Sequence, residues 1–456
     1  MTAFNNFRHT FPTIAPALLI LLSLACGGTL TPTRISPVIT TVPSPTITLT
    51  PKPSATPTPL PTPLPIGSKL NVADWEYSIS SGKVMDTIGG EKARGVFVVA
   101  LLDVTNLASQ QRELGSGIFM ATDAQGRVYE FSSDASLAYY QTYSTSSWFL
   151  DEIPASSQVS IPLVFDVSPD ATQISLLASR TDNPALLIVE AAGGQALILE
   201  GQVFNYADWD YVLVNTATKN TIGDYTARGK YVIAVVKIQN RSLTPRELGS
   251  DFFQAKDSEG RIYNMNSDAS LAYYQAYKTD AWFLEVLNPS LVGEIPVVFD
   301  VSPDATQVTL VDRADNKNLL IDAMGGQALT LEGEIHPAGN WQFVIKEVKT
   351  ASTIGDKSPK GVYVILVLKV RNIDAVAQEF GGYFLSLKDS AGHIYEFDSE
   401  ASLEYYQQYK TDAWHLESIG PSLTGTIPIV FDVTSGVTGL VLSGAEVDIP
   451  VIEAVP

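Results

Sequence analysis

The chain has 456 residues, of which 45% are hydrophobic, and a formal net charge of −20 at pH 7. That length is too great for one hydrophobic core and predicts about two to four domains. Phosphate binding requires clustered Lys and Arg, so the acidic balance argues against nucleic acid as a partner. It also disfavours docking on anionic membranes through protein charge.

The first 25 residues have the pattern of a secretory signal. Arg8 precedes an apolar run at 15–25, which is shorter than the roughly 20 residues of a permanent membrane helix and has the size of a signal-peptide core. The run ends in Ser-Leu-Ala-Cys at 23–26, which resembles a bacterial lipoprotein signal. This resemblance implies a signal peptide at 1–25, lipidation of Cys26 and an extracytoplasmic protein anchored to the cell membrane by its N-terminal lipid. The alternative is an ordinary secretory peptide with an incidental cysteine.

Residues 26–66 are rich in Pro, Thr and Ser. Proline lacks a backbone donor and favours extended geometry, so this segment cannot pack a core. It predicts a semi-rigid, polyproline-like stalk between the membrane and the rest of the protein.

The remainder of the chain consists of three copies of one sequence, offset by 134 and then 132 residues. This period exceeds the roughly 20–50 residues of a solenoid repeat and predicts tandem domains at 67–198, 199–330 and 331–456. No Pro/Ser linker separates them. The stretches ALILEG and ALTLEG read as strands that run directly into the next copy, which predicts close, stiff packing between neighbours.

Each copy has the pattern of a β domain. In the second copy, 229–240 is an apolar, β-branched run, and 252–265 predicts a hairpin around Asp257-Ser-Glu-Gly. The segment 293–301 is strand-like, but Pro296 predicts an edge strand or a bulge. With TQVTLVD and NLLIDA, this makes about seven or eight strands, as in an antiparallel sandwich.

These segments also carry a family resemblance. The matching stretches of the second copy are 227–240, 257–263 and 289–301, with equivalents in the other two. They resemble the telokin-like, immunoglobulin-fold domain-of-unknown-function family of bacterial lipoproteins and secreted proteins. The resemblance implies an all-β fold of three tandem immunoglobulin-like antiparallel β-sandwiches and an exported location, and it implies no activity. The first copy departs from the pattern with Pro-Ala-Ser-Ser at 154–157, and the third with VTSGVTG.

Motifs of known chemistry are absent from the sequence. The four histidines do not recur between copies, and no HExxH, Cys/His cluster, GxSxG, GxGxxG or P-loop pattern occurs. We therefore predict no enzymatic activity, no cofactor and no metal. One alternative is a Ca²⁺ site, because carboxylates could converge in the fold. The candidate groups are Asp134 with Asp151 and Glu152, and Asp268 with Asp280 and Glu285.

An aromatic block recurs in all three copies, as SDASLAYYQTY at 133–143, SDASLAYYQAY at 267–277 and SEASLEYYQQY at 399–409, each followed by a tryptophan. The pattern predicts a short helix with Ser267-Asp268 as N-cap, Tyr273 and Tyr277 on one face, and Leu271 and Tyr274 on another. The candidate binding aromatics are Tyr139, Tyr140, Tyr143, Trp148, Tyr273, Tyr274, Tyr277, Trp282, Tyr405, Tyr406, Tyr409 and Trp414.

Two interpretations of this block remain open. In the first, Leu271, one tyrosine pair and Trp282 seal an open end of the sandwich. In the second, exposed tyrosines stack on sugar rings or bind a partner protein.

The sequence as a whole favours a stalked, membrane-anchored lipoprotein that displays three modules for binding or adhesion at the cell envelope. An envelope protein or a polysaccharide is the expected partner. The alternatives are a structural spacer or accessory subunit of an envelope complex, and a calcium-dependent adhesion module.

Overall fold

The computed structural model describes residues 62–115, 119–177, 184–444 and 447–456. The predicted signal peptide, Cys26 and most of the predicted stalk lie outside these ranges. Below, repeats 1, 2 and 3 denote 67–198, 199–330 and 331–456.

The described part of the chain contains mostly β-strands, with one α-helix in each repeat. The elements of repeat 1 are β1 Leu70–Val72, β2 Trp75–Ile88, β3 Glu91–Asn106, β4 Arg112–Glu113, β5 Met120–Thr122, β6 Val128–Glu130, α1 Ser133–Tyr143, β7 Glu152–Ile153, β8 Gln158–Val167, β9 Thr172–Leu177 and β10 Leu186–Ala191. Those of repeat 2 are β11 Phe204–Tyr206, β12 Trp209–Ile222, β13 Tyr225–Asn240, β14 Phe253–Lys256, β15 Ile262–Asn264, α2 Ser267–Tyr277, β16 Val292–Val301, β17 Thr306–Asp312 and β18 Lys317–Ala323. Those of repeat 3 are β19 His336–Ala338, β20 Trp341–Ala351, β21 Val362–Asn372, β22 Gln378–Glu379, a 3₁₀ turn Gly382–Phe384, β23 Ser386–Lys388, β24 Ile394–Tyr395, α3 Ser399–Tyr409, β25 Ser418–Ile419, β26 Thr424–Val433, β27 Thr438–Gly444 and β28 Val447–Ala454.

Each repeat contains two four-stranded antiparallel sheets in the same order. The first sheet runs β1-β2-β3-β8, β11-β12-β13-β16 or β19-β20-β21-β26. The second runs β10-β9-β5-β6, β18-β17-β14-β15 or β28-β27-β23-β24. The facing sides of the two sheets share one hydrophobic core, so the all-β, sandwich-like fold predicted from the sequence is confirmed at this level.

The long middle strand of the first sheet is buried on both faces. In β13, Val232, Ala234 and Val236 face the core between the sheets, whereas Tyr231 and Ile233 belong to a second, smaller core beneath the helix. Because side chains alternate along a strand, a continuous apolar run is what two covered faces require. Each repeat therefore has three layers: a sheet, a second sheet and a helix.

Strand β16 lies at an edge of its sheet, as its proline predicts. Pro296 pairs with Val235 in an unbroken register, so the bulge alternative is wrong and the edge alternative is confirmed. Val298 directs its N–H away from the sheet toward the Ser270 hydroxyl. Pro296, two residues earlier, faces the same way, so its missing donor costs the sheet no hydrogen bond.

The predicted hairpin of repeat 2 is confirmed, because β14 and β15 pair antiparallel around the Asp257 turn. The strand prediction for ALILEG and ALTLEG is wrong, since 196–200 and 328–332 form no ladder. Leu197 packs against the core of repeat 2 while the next residue, Ile198, is 77% exposed. The segment follows strand-like alternation without a partner strand because it crosses from one repeat to the next.

Candidate functional site

The aromatic blocks form α1, α2 and α3, which lie on the outer face of the first sheet in each repeat. The expectation that Leu271 and Trp282 seal an open end of the sandwich is therefore wrong in location. Leu271 is only half-buried, and the helix covers a sheet face instead.

Each helix begins one residue earlier than the predicted cap implies. The N-cap of α2 is Asn266, whose side-chain oxygen accepts from Ala269 N–H at 2.9 Å, so the prediction of Ser267-Asp268 as cap is wrong. Ser132 and Asp398 cap the other two helices in the same way. All of these residue types cap helices well, so local sequence alone cannot choose among adjacent ones.

A buried serine ties each helix to the edge strand of the sheet. In repeat 2, Ser270 Oγ donates to the Asn266 carbonyl at 2.7 Å and accepts from Val298 N–H at 3.0 Å. Asn266 N–H in turn donates to the Val298 carbonyl at 2.7 Å. Ser136 and Ser402 make the same bonds in the other repeats. Because buried backbone groups must be paired, these bonds close the outer edge of the sheet.

Within each helix, the rings of two tyrosines one turn apart lie against each other, stacked in α2 and α3 and tilted by 36° in α1. The inner tyrosines, Tyr139, Tyr273 and Tyr405, are buried against the sheet. The outer tyrosines, Tyr143, Tyr277 and Tyr409, are 49%, 50% and 56% exposed. The ring centroids of each inner–outer pair lie 4.2–4.4 Å apart. One member of each pair therefore supports the fold, and the other presents an aromatic surface to solvent.

A lysine from the neighbouring strand lies near each outer tyrosine. Lys83, Lys219 and Lys349 place their Nζ atoms 6.0, 4.9 and 5.5 Å from the ring centroids. These lysines do not all occupy equivalent sequence positions, because Lys219 is two residues further along its strand. Comparison of equivalent positions in the repeats therefore misses this pairing. It could be found from strand geometry, because residues two apart along a strand lie on the same face, so both lysine positions face the outer tyrosine.

The remaining candidate aromatics are half-buried. They are Tyr140, Tyr274, Tyr406, Trp148, Trp282 and Trp414. The Tyr140 and Trp148 rings lie 5.9 Å apart, and those of Tyr406 and Trp414 lie 6.4 Å apart. Trp148 and Trp282 also pack against the main cores of their repeats. This set contributes to the fold and to the surface together.

A cleft of about 870 Å³ separates α1 from repeat 2. Asp134 and Asp166 line it from repeat 1, and Lys237 and Tyr274 from repeat 2. Arg94 also lines the cleft, where it pairs with Glu285 of repeat 2. The lining therefore combines charges of both signs with a tyrosine.

Asp166 is the most perturbed carboxylate of the cleft. Its burial raises its pKa to about 6, although the Arg94 and Gly95 backbone N–H groups donate to it at 2.8 and 2.9 Å and oppose the rise. Asp300 has the same two donors in repeat 2, from Arg228 and Gly229, and burial also raises its pKa. Both carboxylates hold the start of a long strand in place.

The carboxylates of the calcium alternative have other partners. Asp151 accepts from Ser147 Oγ and Trp148 N–H, and Glu152 accepts from Gln111. Glu285 pairs with Arg94 at 2.6 Å. Asp134 and Asp268 lie exposed in the first turn of their helices. Within the described ranges, no three His, Cys, Asp or Glu side chains converge in a way that could hold a metal ion.

The described residues thus form an all-β protein whose repeats each present a helix with one exposed tyrosine. No protein-family model matches the chain, and no curated protein matches it. Among the described residues, no helix is long and apolar enough to cross a membrane.

Proposed function

We propose that this protein is an extracytoplasmic lipoprotein that binds a cell-envelope partner through the aromatic helices of three tandem immunoglobulin-like modules. The observation that carries the proposal is the exposure of Tyr143, Tyr277 and Tyr409 at the same place in every repeat. The stacking of each on a buried tyrosine restricts its motion, and a rigid aromatic ring binds at low entropic cost.

The outer tyrosine is not needed to bury the sheet face. Tyr273 is already buried with Ala269 and Ile233 in the core beneath α2, while half of the Tyr277 side chain stays in solvent. A structural plug explains the inner ring only. The outer ring with its neighbouring lysine suits a polar ligand that has flat faces, such as a polysaccharide.

Three sites on one chain would bind a polymer with avidity. Linked sites convert the later binding events into intramolecular ones, which raises the overall affinity without new contacts. The proposed lipid at Cys26 and the Pro/Thr-rich stalk would hold these sites at a distance from the membrane, as in the bacterial lipoproteins that the sequence resembles. The similarity to the telokin-like immunoglobulin-fold family belongs to the same proposal.

Co-sedimentation with isolated cell-wall polysaccharide tests the proposal. We expect wild type to bind, and the triple variant Tyr143→Ala, Tyr277→Ala and Tyr409→Ala to lose at least about tenfold in affinity, which is roughly 1.4 kcal/mol. The matched control replaces the exposed Gln141, Gln275 and Gln407 of the same helices with alanine and should bind like wild type. If the tyrosine variant keeps full binding, the aromatic helices are not the binding surface.

A second candidate is a structural spacer. The observation that favours it is an ion pair that recurs at both junctions between repeats, Arg94 with Glu285 and Arg228 with Glu417, which suits a stiff connection. Absence of wild-type binding both to polysaccharide and to secreted envelope proteins would favour the spacer.

A further inference from the structure

Both junctions between repeats use the same loop of the later repeat. We name 285–291 and 417–423 the leading loops, and the surface of the earlier repeat that receives them the trailing face. At the first junction, Arg94 Nη2 lies 2.6 Å from Glu285 Oε1. At the second, Arg228 pairs with Glu417 in the same way and also donates to the Asp412 carbonyl at 2.7 Å.

A second pair of contacts recurs further along each leading loop. Arg127 Nη1 donates to Ser290 Oγ at 3.2 Å, and Arg261 Nη1 donates to Ser422 Oγ at 3.1 Å. Each arginine is held by two aspartates of its own repeat: Arg127 by Asp123 and Asp170, and Arg261 by Asp257 and Asp304. The position of each arginine therefore does not depend on the loop alone.

A leucine of each leading loop packs against a glycine of the trailing face. A Cβ on Gly95 would lie 2.7 Å from Leu291 Cδ2, and a Cβ on Gly229 would lie 2.8 Å from Leu423 Cδ2. The carbonyl oxygens of Val167 and Val301 in the same repeats lie closer still, at 2.0 and 2.2 Å, so each glycine is required by its own sheet as well as by the leucine. Acid, serine and leucine therefore form a three-point docking pattern that the chain shows twice.

Repeat 1 keeps the acid and the serine of this pattern, as Asp151 and Ser156, but lacks the leucine. Asp151, Pro154, Ala155 and Ser157 stand where repeat 2 has Glu285, Asn288, Pro289 and Leu291. The turn keeps the same left-handed residue, since Ser156, Ser290 and Ser422 share positive φ values of 57°, 61° and 58°. Of the three docking groups, the acid is shorter in repeat 1 and the leucine is absent.

The trailing face of repeat 3 keeps the glycine and one cation but neither docking arginine. Lys360 replaces the arginine, and Gly361 lies beside it with no leucine against it. Asp432 accepts from the N–H groups of both residues at 2.7 and 3.0 Å, as at the occupied faces. In repeat 2, Ile262 N–H donates to the Ala375 carbonyl of repeat 3. Ile394 is the equivalent residue of repeat 3, and it is 62% exposed.

One corner of this face differs from the occupied ones. His393 and Gly436 stand where repeat 2 has Arg261 and Asp304. They border a hollow of about 540 Å³ that Asp389 and Tyr395 also line. No other repeat of the described chain covers this face, and Lys360 and Ile394 are exposed. Gly361 is half-buried, and the Val433 carbonyl oxygen of its own repeat lies 2.1 Å from where a Cβ would stand.

We infer that the trailing face of repeat 3 docks a further module of this same repeat type, whose leading loop presents Glu and Pro-Ser-Leu. The occupied faces of repeats 1 and 2 show the shape of this occupant. The positive charge of Lys360 matches the glutamate of such a loop, and Gly361 leaves space for its leucine. A second copy of this chain does not qualify, because its repeat 1 has Ser157 in place of the leucine.

A gain-of-docking variant of the full chain tests the inference. Asp151→Glu, Pro154→Asn, Ala155→Pro and Ser157→Leu together restore the leading loop of repeat 1, and repeat 1 then becomes the probe for the trailing face of a second molecule. Tethered modules have effective concentrations in the millimolar range, so sedimentation is measured up to about 1 mM. We expect the weight-average mass of this variant to rise with concentration while wild type stays at its monomer mass.

The matched control adds Lys360→Glu to the four substitutions, which should return the mass to that of wild type. The inference is overturned if the four-substitution variant stays monomeric, if Lys360→Glu leaves its association unchanged, or if wild type associates equally. Ser157→Leu alone restores the leucine and replaces the full set if the latter does not fold. The readout needs no envelope ligand, so it is independent of the proposed binding by tyrosines.

Discussion

His415 stands where the other repeats have Phe149 and Phe283, and we expect His415→Phe to stabilise the protein. The side chain is 4% exposed, and its Nδ1 is buried without a hydrogen-bond partner. Its ring lies 4.8 Å from that of Phe397 and 5.1 Å from that of Trp414, so its surroundings suit a phenyl ring. A buried polar atom without a partner costs about 1–3 kcal/mol, and the substitution removes that cost.

The effect should grow in acid. Burial lowers the pKa of His415, so below the ordinary value of about 6.5 the unfolded chain takes up a proton that the folded chain does not. The free energy of unfolding of wild type therefore falls as the pH falls through this range, and that of the phenylalanine variant lacks this contribution.

Differential scanning calorimetry of the full chain at about pH 7.5 and about pH 5 measures both effects. At roughly 3–5 °C per kcal/mol, the transition that includes repeat 3 should rise by about 3–15 °C at neutral pH, and by more in acid. The mirror variant Phe283→His should lower the stability of repeat 2. An unchanged melting temperature, or a difference that does not widen in acid, would refute the reasoning.

Three further comparisons test the aromatic helix and the first junction by thermal and urea melts of the full chain. Tyr273→Ala removes a buried ring and should cost about 3–5 kcal/mol, whereas Tyr277→Ala should cost about 1 kcal/mol or less; equal costs would contradict the assignment of inner and outer rings. Ser270→Ala leaves a buried backbone N–H unpaired and should cost about 1–3 kcal/mol, and the exposed Ser267→Ala is its control, with little expected loss. The pKa of Asp166 is about 6 in the folded protein, so the folded chain holds a proton that the unfolded chain releases between about pH 4 and 6. The free energy of unfolding of wild type should therefore fall over this range relative to that of Asp166→Asn. Parallel pH profiles of the two proteins would contradict the raised pKa.

The strands of each repeat could be predicted because their signals are local. Apolar runs such as 229–240 and the Asp-Gly turn after β14 depend on neighbours in sequence, and the structure confirms both. Because the sequence recurs in three copies, each strand assignment is supported by three equivalent segments. Pro296 similarly marked an edge strand, since a missing donor excludes a central position.

The face that the helix covers could not be predicted in this way. Tyr231 and Ile233 alternate with Val232 and Ala234, and all four are buried, but a run without polar residues does not say what covers each side. The choice between a sandwich end and a sheet face depends on contacts made far along the chain. The Ser270 hydroxyl holds the helix on the sheet face, because it accepts the outward-facing Val298 N–H of the edge strand.

The junctions escaped sequence reasoning for a related reason. The departures at 154–157 and at Gly436 were visible in the sequence as irregularities of the first and third copies. Their meaning emerges only when Leu291 is seen against Gly95 and Ser290 against Arg127. Contacts between repeats join residues about 110–190 positions apart, and no periodicity links such partners.

The contacts at the junctions also determine how the aromatic helices of neighbouring repeats are placed. Tyr274 of α2 lines the cleft that Arg94 crosses, so the contacts that dock repeat 2 onto repeat 1 also set the position of α2 relative to α1. The same bonds recur around Arg228, which places α3 relative to α2 in the same way. Avidity depends on fixed geometry between sites, because a mismatch with the ligand removes simultaneous engagement. In the proposed polymer binding, the arginine contacts would fix the spacing of the three sites although they touch no ligand.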